Sequence, residues 1–139
     1  MVLNSIGIDP GRQWRGVWRW YSDEMLECCT SLEQVRTRGI DWDEFVCLAE
    51  CHGLLPTAVR HDEASKDQFE EALCRATTEP DTHLVLSWSR KALGQTGVGH
   101  FSPVAAYHRE RRMALVLDVA RFKYPSYWAS VDDLWYRSS

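Results

Sequence analysis

One histidine and one aspartate, His100 and Asp118, have the residue types and the spacing of a histidine base and its orienting carboxylate in a site with a cysteine nucleophile. His100 follows the glycine-rich stretch 94–99 and opens a predicted strand, and Asp118 closes the next predicted strand. In an antiparallel hairpin the start of one strand lies beside the end of the next, so we expect imidazole and carboxylate within hydrogen-bond reach. The carboxylate would fix the histidine tautomer, and the histidine would take the proton of a thiol. On spacing alone, a structural histidine at a strand start is the more common case.

The chain has five cysteines that offer thiols for catalysis or for metal binding. Cys47 and Cys51 lie four residues apart on one predicted helix face, and Cys28 and Cys29 are adjacent. Soft thiolates favour zinc, cadmium and copper(I), so these four are candidate metal ligands. Because no CxxC pair is present, burial as small apolar side chains is the competing interpretation, and it also applies to Cys74. The odd number and irregular spacing fit poorly with a disulfide framework and favour a reducing, cytoplasmic location.

Composition narrows the class of protein. With 139 residues, 45% of them hydrophobic, the chain is long enough for one domain or part of one. A net charge of −4 argues against a nucleic-acid partner. We find no apolar run of roughly 20 residues and no leader pattern, so we expect neither a membrane span nor secretion. The aromatic block at 14–21 is expected to pack in the core and in a cleft wall.

Periodicity and capping signals predict helices before strands. Ser31 with Gln34, and Asp41 with Glu44, have the spacing of capping boxes. Alternating and continuous apolar runs in the second half predict strands, two of them forming a hairpin with its tip near 108–112. Helices followed by an antiparallel sheet indicate an α+β fold. We predict helices at 1–6, 22–28, 31–39, 42–51, 64–76 and 130–136, and strands at 57–61, 83–88, 101–107 and 113–119.

Five sequence blocks follow one another along the chain: DPGR at 9–12, WRW at 18–20, the paired cysteines at 28–29, QTGVGHFSP at 95–103 and LDVARFKYP at 117–125. Together these blocks closely resemble the phytochelatin synthases. The resemblance runs over essentially the whole chain, and it implies a papain-like cysteine proteinase fold. It also implies a γ-glutamylcysteine dipeptidyl transpeptidase, in which a cysteine thiolate attacks glutathione, expels glycine and passes the γ-glutamylcysteinyl group from a thioester to an acceptor.

The resemblance also assigns roles to residues. It makes His100 the general base and acid and Asp118 its orienting partner, while Arg121 and Tyr124 hold the γ-glutamyl part of the acyl group. A guanidinium suits that role because it can clamp a carboxylate through two bonds. The implied partners are glutathione, phytochelatin peptides and the metal–glutathione thiolate. No tightly bound cofactor is implied, since cadmium or zinc enters as the thiolate complex with glutathione.

The family places a glutamine and its nucleophilic cysteine ahead of a helix end that resembles residues 2–6. We therefore expect 1–139 to be a partial phytochelatin synthase catalytic domain, incomplete at both ends, with the nucleophile before Met1 and a closing strand after Ser139. We expect the chain by itself to be inactive. Two other interpretations stay open: a non-catalytic remnant that binds glutathione or metal thiolates, and a hydrolase that removes glycine from glutathione. The sequence also leaves the oligomeric state open, including a homodimer.

Overall fold

A computed structural model describes residues 1–88, 100–120 and 122–138 of the chain. It divides into two compact units, Met1–Ala58 and Val59–Ser139. The described residues form five α-helices and a four-stranded antiparallel sheet, which confirms the predicted α+β class. Among these residues, none of the helices has the length and apolar character needed to span a bilayer.

The first unit contains three α-helices and one 3₁₀ turn. The helices are α1 (Val2–Ile6), α2 (Leu32–Arg38) and α3 (Trp42–Cys51). Both predicted capping boxes are present, because the backbone N–H of residue N3 donates to the cap side chain and the N3 side chain accepts from the cap backbone. The predicted helix at 22–28 is wrong in extent: only a single 3₁₀ turn forms, at Asp23–Met25, and Ser22 makes no side-chain capping bond.

The second unit contains the sheet and two α-helices. Helix α4 (Lys66–Thr78) starts two residues later than predicted, after the capping serine Ser65. The strands are β1 (Val85–Trp88), β2 (His100–His108), β3 (Met113–Val116) and β4 (Tyr127–Ser130), in that spatial order, and α5 (Val131–Arg137) follows. The strand predicted at 57–61 is wrong, since those residues lead into a 3₁₀ turn at His61–Glu63, and β4 was not predicted.

The buried core belongs to the second unit. Phe69 and Leu73 lie four residues apart, so they share one face of α4 and both are buried there. The other buried apolar side chains come from the sheet and α5: Leu86, Trp88, Val104, Ala114, Val116, Ala129, Val131 and Leu134. Every residue of the first unit is at least partly exposed. The aromatic block therefore does not pack as predicted: Trp14 and Trp18 expose 45% and 61% of their surface, and the Arg15 guanidinium lies over the Trp14 ring.

Candidate active site

His100 is the first residue of β2, as the sequence predicted within one residue. It pairs with Trp88, the last residue of β1, and is half-buried. The Trp88 side chain is fully buried, and within the described part of the chain its indole Nε1 has no hydrogen-bond partner. His100 thus lies at the end of a strand, and its partner on the neighbouring strand has a large apolar side chain.

Asp118 lies two residues after β3, on a segment that continues beside β2. The backbone N–H of Leu117 donates to the Pro103 carbonyl at 2.9 Å, and that of Val119 donates to Ser102 Oγ at 3.3 Å. Both Asp118 and Ser102 are buried, with 4% and 0% of their surface exposed. They are the two buried polar or charged residues among those the structure describes.

The strand register brings His100 and Asp118 toward each other. Val104 pairs with Val116, and the bond between Leu117 and Pro103 carries the same register one step further, which sets Asp118 opposite Ser102. His100 is two residues from Ser102 on β2, so their side chains share a face of the sheet. Diagonal neighbours on one face are roughly 7–8 Å apart at the backbone, a distance that an imidazole and a carboxylate can bridge. The side-chain contact itself remains a prediction.

The carboxylate of Asp118 is held by the turn that follows it. Its Oδ1 accepts a hydrogen bond from the backbone N–H of Ala120 at 2.8 Å. Such a local bond fixes the direction of a short acidic side chain. A buried, oriented carboxylate is what a histidine base needs as its partner.

Of the two predicted substrate-binding residues, the structure describes one. Tyr124 is half-buried, and its backbone N–H donates to the Ala120 carbonyl at 3.1 Å, which places it in the turn after Asp118. Arg121 lies outside the described residues. The assignment of both to the γ-glutamyl group therefore stays a prediction.

Four of the five cysteines are paired. Disulfides join Cys28 to Cys51 and Cys29 to Cys47, whereas Cys74 is a free thiol in the second half of α4. The expectation that no disulfide framework forms is wrong for these four residues. The competing interpretation, that these four side chains are buried as small apolar groups, is wrong as well. Three of them are exposed, and Cys29 is half-buried. None of the five lies at a helix N-terminus, where the dipole lowers a thiol pKa.

Sequence reasoning missed one residue of the site, Ser102. Its signal was a hydroxyl residue inside an otherwise apolar strand, two positions after the candidate histidine. A buried serine in such a place needs a partner. Here it accepts a bond from the backbone beside Asp118.

A family model described as phytochelatin synthase matches residues 1–138. The chain belongs to the phytochelatin synthase family. The chain is 47% identical over 135 residues to glutathione gamma-glutamylcysteinyltransferase 1 of Lotus japonicus, covering 97% of the chain. It is 45% identical over 131 residues to glutathione gamma-glutamylcysteinyltransferase of Schizosaccharomyces pombe, covering 94% of the chain. The chain spans 27% and 32% of the length of these two relatives.

Proposed function

We propose that this chain is the part of a glutathione γ-glutamylcysteinyltransferase that supplies the histidine base, His100, and its orienting carboxylate, Asp118, within a papain-like fold. The observation that carries the proposal is the register that sets buried Asp118 opposite Ser102, on the face that His100 shares. The names of the relatives support the reaction type, since each is a glutathione γ-glutamylcysteinyltransferase.

In the proposed reaction the imidazole of His100 first removes the proton from a cysteine thiol. The thiolate attacks the cysteinyl carbonyl carbon of glutathione, the C–N bond to glycine breaks, and the imidazolium returns a proton to the glycine amine. The acyl group is then a thioester on the enzyme. For transfer, His100 takes a proton from the amine of a second glutathione or of a phytochelatin peptide, which attacks the thioester and restores the thiol.

Asp118 acts in this scheme by holding the histidine in one tautomer and by stabilising the imidazolium. The hydrogen bond from the Ala120 backbone N–H holds the Asp118 carboxylate in one orientation, so the carboxylate can accept a hydrogen bond from the imidazole N–H without turning. Arg121 and Tyr124 are proposed to bind the γ-glutamyl carboxylate and amine. The nucleophilic thiol is proposed to come from residues outside the 139, because no cysteine of this chain lies at a helix N-terminus.

The metal belongs to the substrate in this proposal. Cadmium or zinc would enter as its bis-glutathione thiolate, the acceptor in the transfer step, and no tightly bound cofactor is needed for the acyl chemistry. Cytoplasmic location is part of the same proposal, since glutathione is abundant and reduced there.

The test uses the complete gene product that contains this chain, with glutathione and cadmium as substrates. Glycine release and phytochelatin formation are measured by chromatography. We expect His100→Ala and Asp118→Asn each to lower kcat by roughly 10²–10⁴, the usual contribution of a positioned general base. His108→Ala, at the exposed other end of β2, and Asp132→Asn, an exposed carboxylate, are the controls and should retain activity.

Four outcomes would contradict the proposal. Full activity of His100→Ala would show that His100 is not the general base. An equal loss of kcat in His108→Ala would show that the substitutions act through a general effect on the fold. Release of γ-glutamylcysteine with no oligomer would instead identify the hydrolase. The 139-residue chain alone should release no glycine; release that His100→Ala abolishes would show that the chain carries its own nucleophile.

A further inference from the structure

An exposed hairpin of the first unit carries aromatic and cationic side chains side by side. Residues 14–20 turn back on themselves: the backbone N–H of Trp14 donates to the Trp18 carbonyl at 2.8 Å, and that of Trp18 donates to the Arg15 carbonyl at 3.0 Å. Every residue from 11 to 20 is exposed. Besides Trp14 and Trp18, the exposed apolar side chains are Val17 and Trp20, with 79% and 45% of their surface accessible. We call residues 14–20 the aromatic hairpin.

Contacts at its base hold the aromatic hairpin in place. The Asp9 carboxylate accepts hydrogen bonds from Nε and Nη2 of Arg19 at 3.0 and 2.8 Å, and its Oδ1 also accepts from the Gly11 backbone N–H at 2.8 Å. On the far side of the hairpin, the Asn4 side chain forms two hydrogen bonds with the backbone of Tyr21, at 2.7 and 3.0 Å. The exposed rings are therefore carried by an ordered turn, and less ordering entropy is lost when a ligand binds to such a surface.

Packing within the described residues does not account for these side chains. Apolar surface is unfavourable in water, and neighbouring exposed apolar residues mark sites of interaction. Tryptophan and arginine are also the residue types that contribute most to binding surfaces. The Arg15 guanidinium lies 4.8 Å from the centroid of the Trp14 ring, and a guanidinium stacked in this way keeps the N–H groups at its edge for an anion. The hairpin thus offers ring faces and hydrogen-bond donors together.

The charge of this segment differs in sign from that of the whole chain. Residues 9–20 contain three arginines and one aspartate, a net charge of +2 in a chain whose net charge is −4. Asp9 neutralises Arg19, with which it forms an ion pair. Arg12 donates only to the uncharged Glu24 carbonyl, at 3.3 Å, so Arg12 and Arg15 keep their positive charges. Charge complementarity therefore favours an anionic ligand at the aromatic hairpin.

We propose that the aromatic hairpin binds oligomeric γ-glutamylcysteine peptides through their carboxylates and sulfur atoms, and holds longer peptides more tightly than glutathione. The ligand class rests on the proposed function, in which these peptides are the products. Each further γ-glutamylcysteine unit adds one free α-carboxylate, one thiol and no free amine, so the peptide becomes more anionic as it grows. The carboxylates pair with Arg12 and Arg15. The sulfur atoms pack against the rings of Trp14 and Trp18, since sulfur makes favourable contacts with aromatic rings.

The experiment measures binding by calorimetry to the complete gene product carrying His100→Ala, with S-methylated peptides as probes. Methylation keeps each sulfur as a thioether that neither exchanges with a disulfide nor carries a metal as a thiolate. The probes are S-methylglutathione, a peptide of four S-methylated γ-glutamylcysteine units, and a sulfur-free peptide of α-linked glutamates with the same net charge as the four-unit peptide. Chromatography of the recovered peptides checks that they are intact.

The expected result is a preference for the long, sulfur-containing probe. The four-unit peptide should bind at least about tenfold more tightly than S-methylglutathione and about threefold more tightly than the glutamate peptide, since ion pairs and sulfur–ring contacts both add to its affinity. Raising the salt concentration from about 0.05 to about 0.5 M should weaken its binding, because exposed charges are screened. Equal affinity for S-methylglutathione, or for the glutamate peptide, would overturn the proposal.

Variants locate the binding surface. Arg15→Ala and Trp18→Ala should each weaken binding of the four-unit peptide about three- to tenfold, the effect of losing one exposed ion pair or one ring contact. The matched controls are Arg36→Ala, at an exposed arginine of α2, and Trp128→Ala, at a half-exposed tryptophan of β4, and both should bind as the parent does. The urea midpoint of each variant checks that it is folded. Unchanged affinity in both hairpin variants, or an equal loss in the controls, would overturn the proposal.

This result and the test of the proposed function can fail separately. If His100→Ala is inactive but shows no length-dependent binding, only the binding proposal is overturned. If length-dependent binding requires Arg15 and Trp18 while His100→Ala keeps full activity towards glutathione, the binding proposal is supported and the role of His100 is overturned.

Discussion

Replacing Ser102 by alanine removes the acceptor of a buried hydrogen bond and leaves its donor in place. Ser102 Oγ accepts from the Val119 backbone N–H at 3.3 Å, and the serine is fully buried. A buried group left without a partner costs about 1–3 kcal/mol. Because a 3.3 Å bond is at the long end of the normal range, we expect the lower half of that interval, about 1–2 kcal/mol.

Urea unfolding and amide hydrogen exchange test this magnitude. With a urea m-value of about 2 kcal/mol per molar, the loss corresponds to a midpoint lower by about 0.5–1 M. The Val119 amide should exchange about 5- to 30-fold faster, since 1.4 kcal/mol is a factor of ten. Ser87→Ala is the control: Ser87 lies on β1 between Leu86 and Trp88, so it points to the opposite face, and its change should stay within about 0.5 kcal/mol.

The reasoning is refuted if Ser102→Ala and Ser87→Ala shift the midpoint equally and Val119 exchange does not change. In the complete protein the same substitution should lower kcat by roughly ten- to a hundredfold with little change in KM, because a small displacement of a catalytic group has that effect. Ser102 would then be a positioning residue for Asp118. A changed KM with an unchanged kcat would point to substrate binding instead.

Two further predictions concern stability and titration. Leu73→Ala should lower the free energy of unfolding by about 2–5 kcal/mol in urea, because Leu73 is fully buried between α4 and the sheet; a change below about 1 kcal/mol would show that the site collapses. The hydrogen bond from Arg38 lowers the pKa of Glu44 from 4.5 to about 2. A carboxyl whose pKa is lowered in the folded state contributes stability above its unfolded pKa. This stability is lost as the pH falls toward the folded pKa. Carboxyl NMR titration should therefore give a higher Glu44 pKa in Arg38→Ala, and an unchanged pKa would contradict the assigned cause.

The helices could be predicted because their signals are local. Ser31 and Asp41 each have a Gln or Glu three residues on, and both capping boxes form as expected. Strands depend on partners, which a single segment does not reveal. Residues 57–61 have a strand-like composition, but they have no neighbouring strand to pair with among the described residues. The strand β4, with four residues, is too short to be recognised from the sequence, and it forms because β3 lies beside it.

The candidate site divides in the same way. A histidine that opens a strand could be read from the sequence, and the structure describes it there. The aspartate was expected to close a strand at 113–119, but β3 ends at Val116, so Asp118 lies two residues beyond it on a segment that continues beside β2. The buried hydroxyl of Ser102 could not be read from the sequence, because its importance comes from the segment that runs beside it. The convergence of the four cysteines was also hidden, since the loop of Cys28 and Cys29 and α3 come together through His52 and not through any sequence spacing.

The face on which Asp118 lies depends on one extra residue in β2. Near the hairpin tip Tyr107 pairs with Ala114, and that register, continued without interruption, would set Asp118 opposite Pro103. The register shifts between Val104 and Ala106, so Asp118 comes opposite Ser102 instead. A slip of one residue exchanges the two faces of a strand. Without the bulge the carboxylate would therefore point away from His100, although the sequence of both residues and the length of the hairpin would look equally suitable. An alternation of buried and exposed residues cannot locate this bulge. Residues 102–104, which precede it, are all buried and therefore show no alternation.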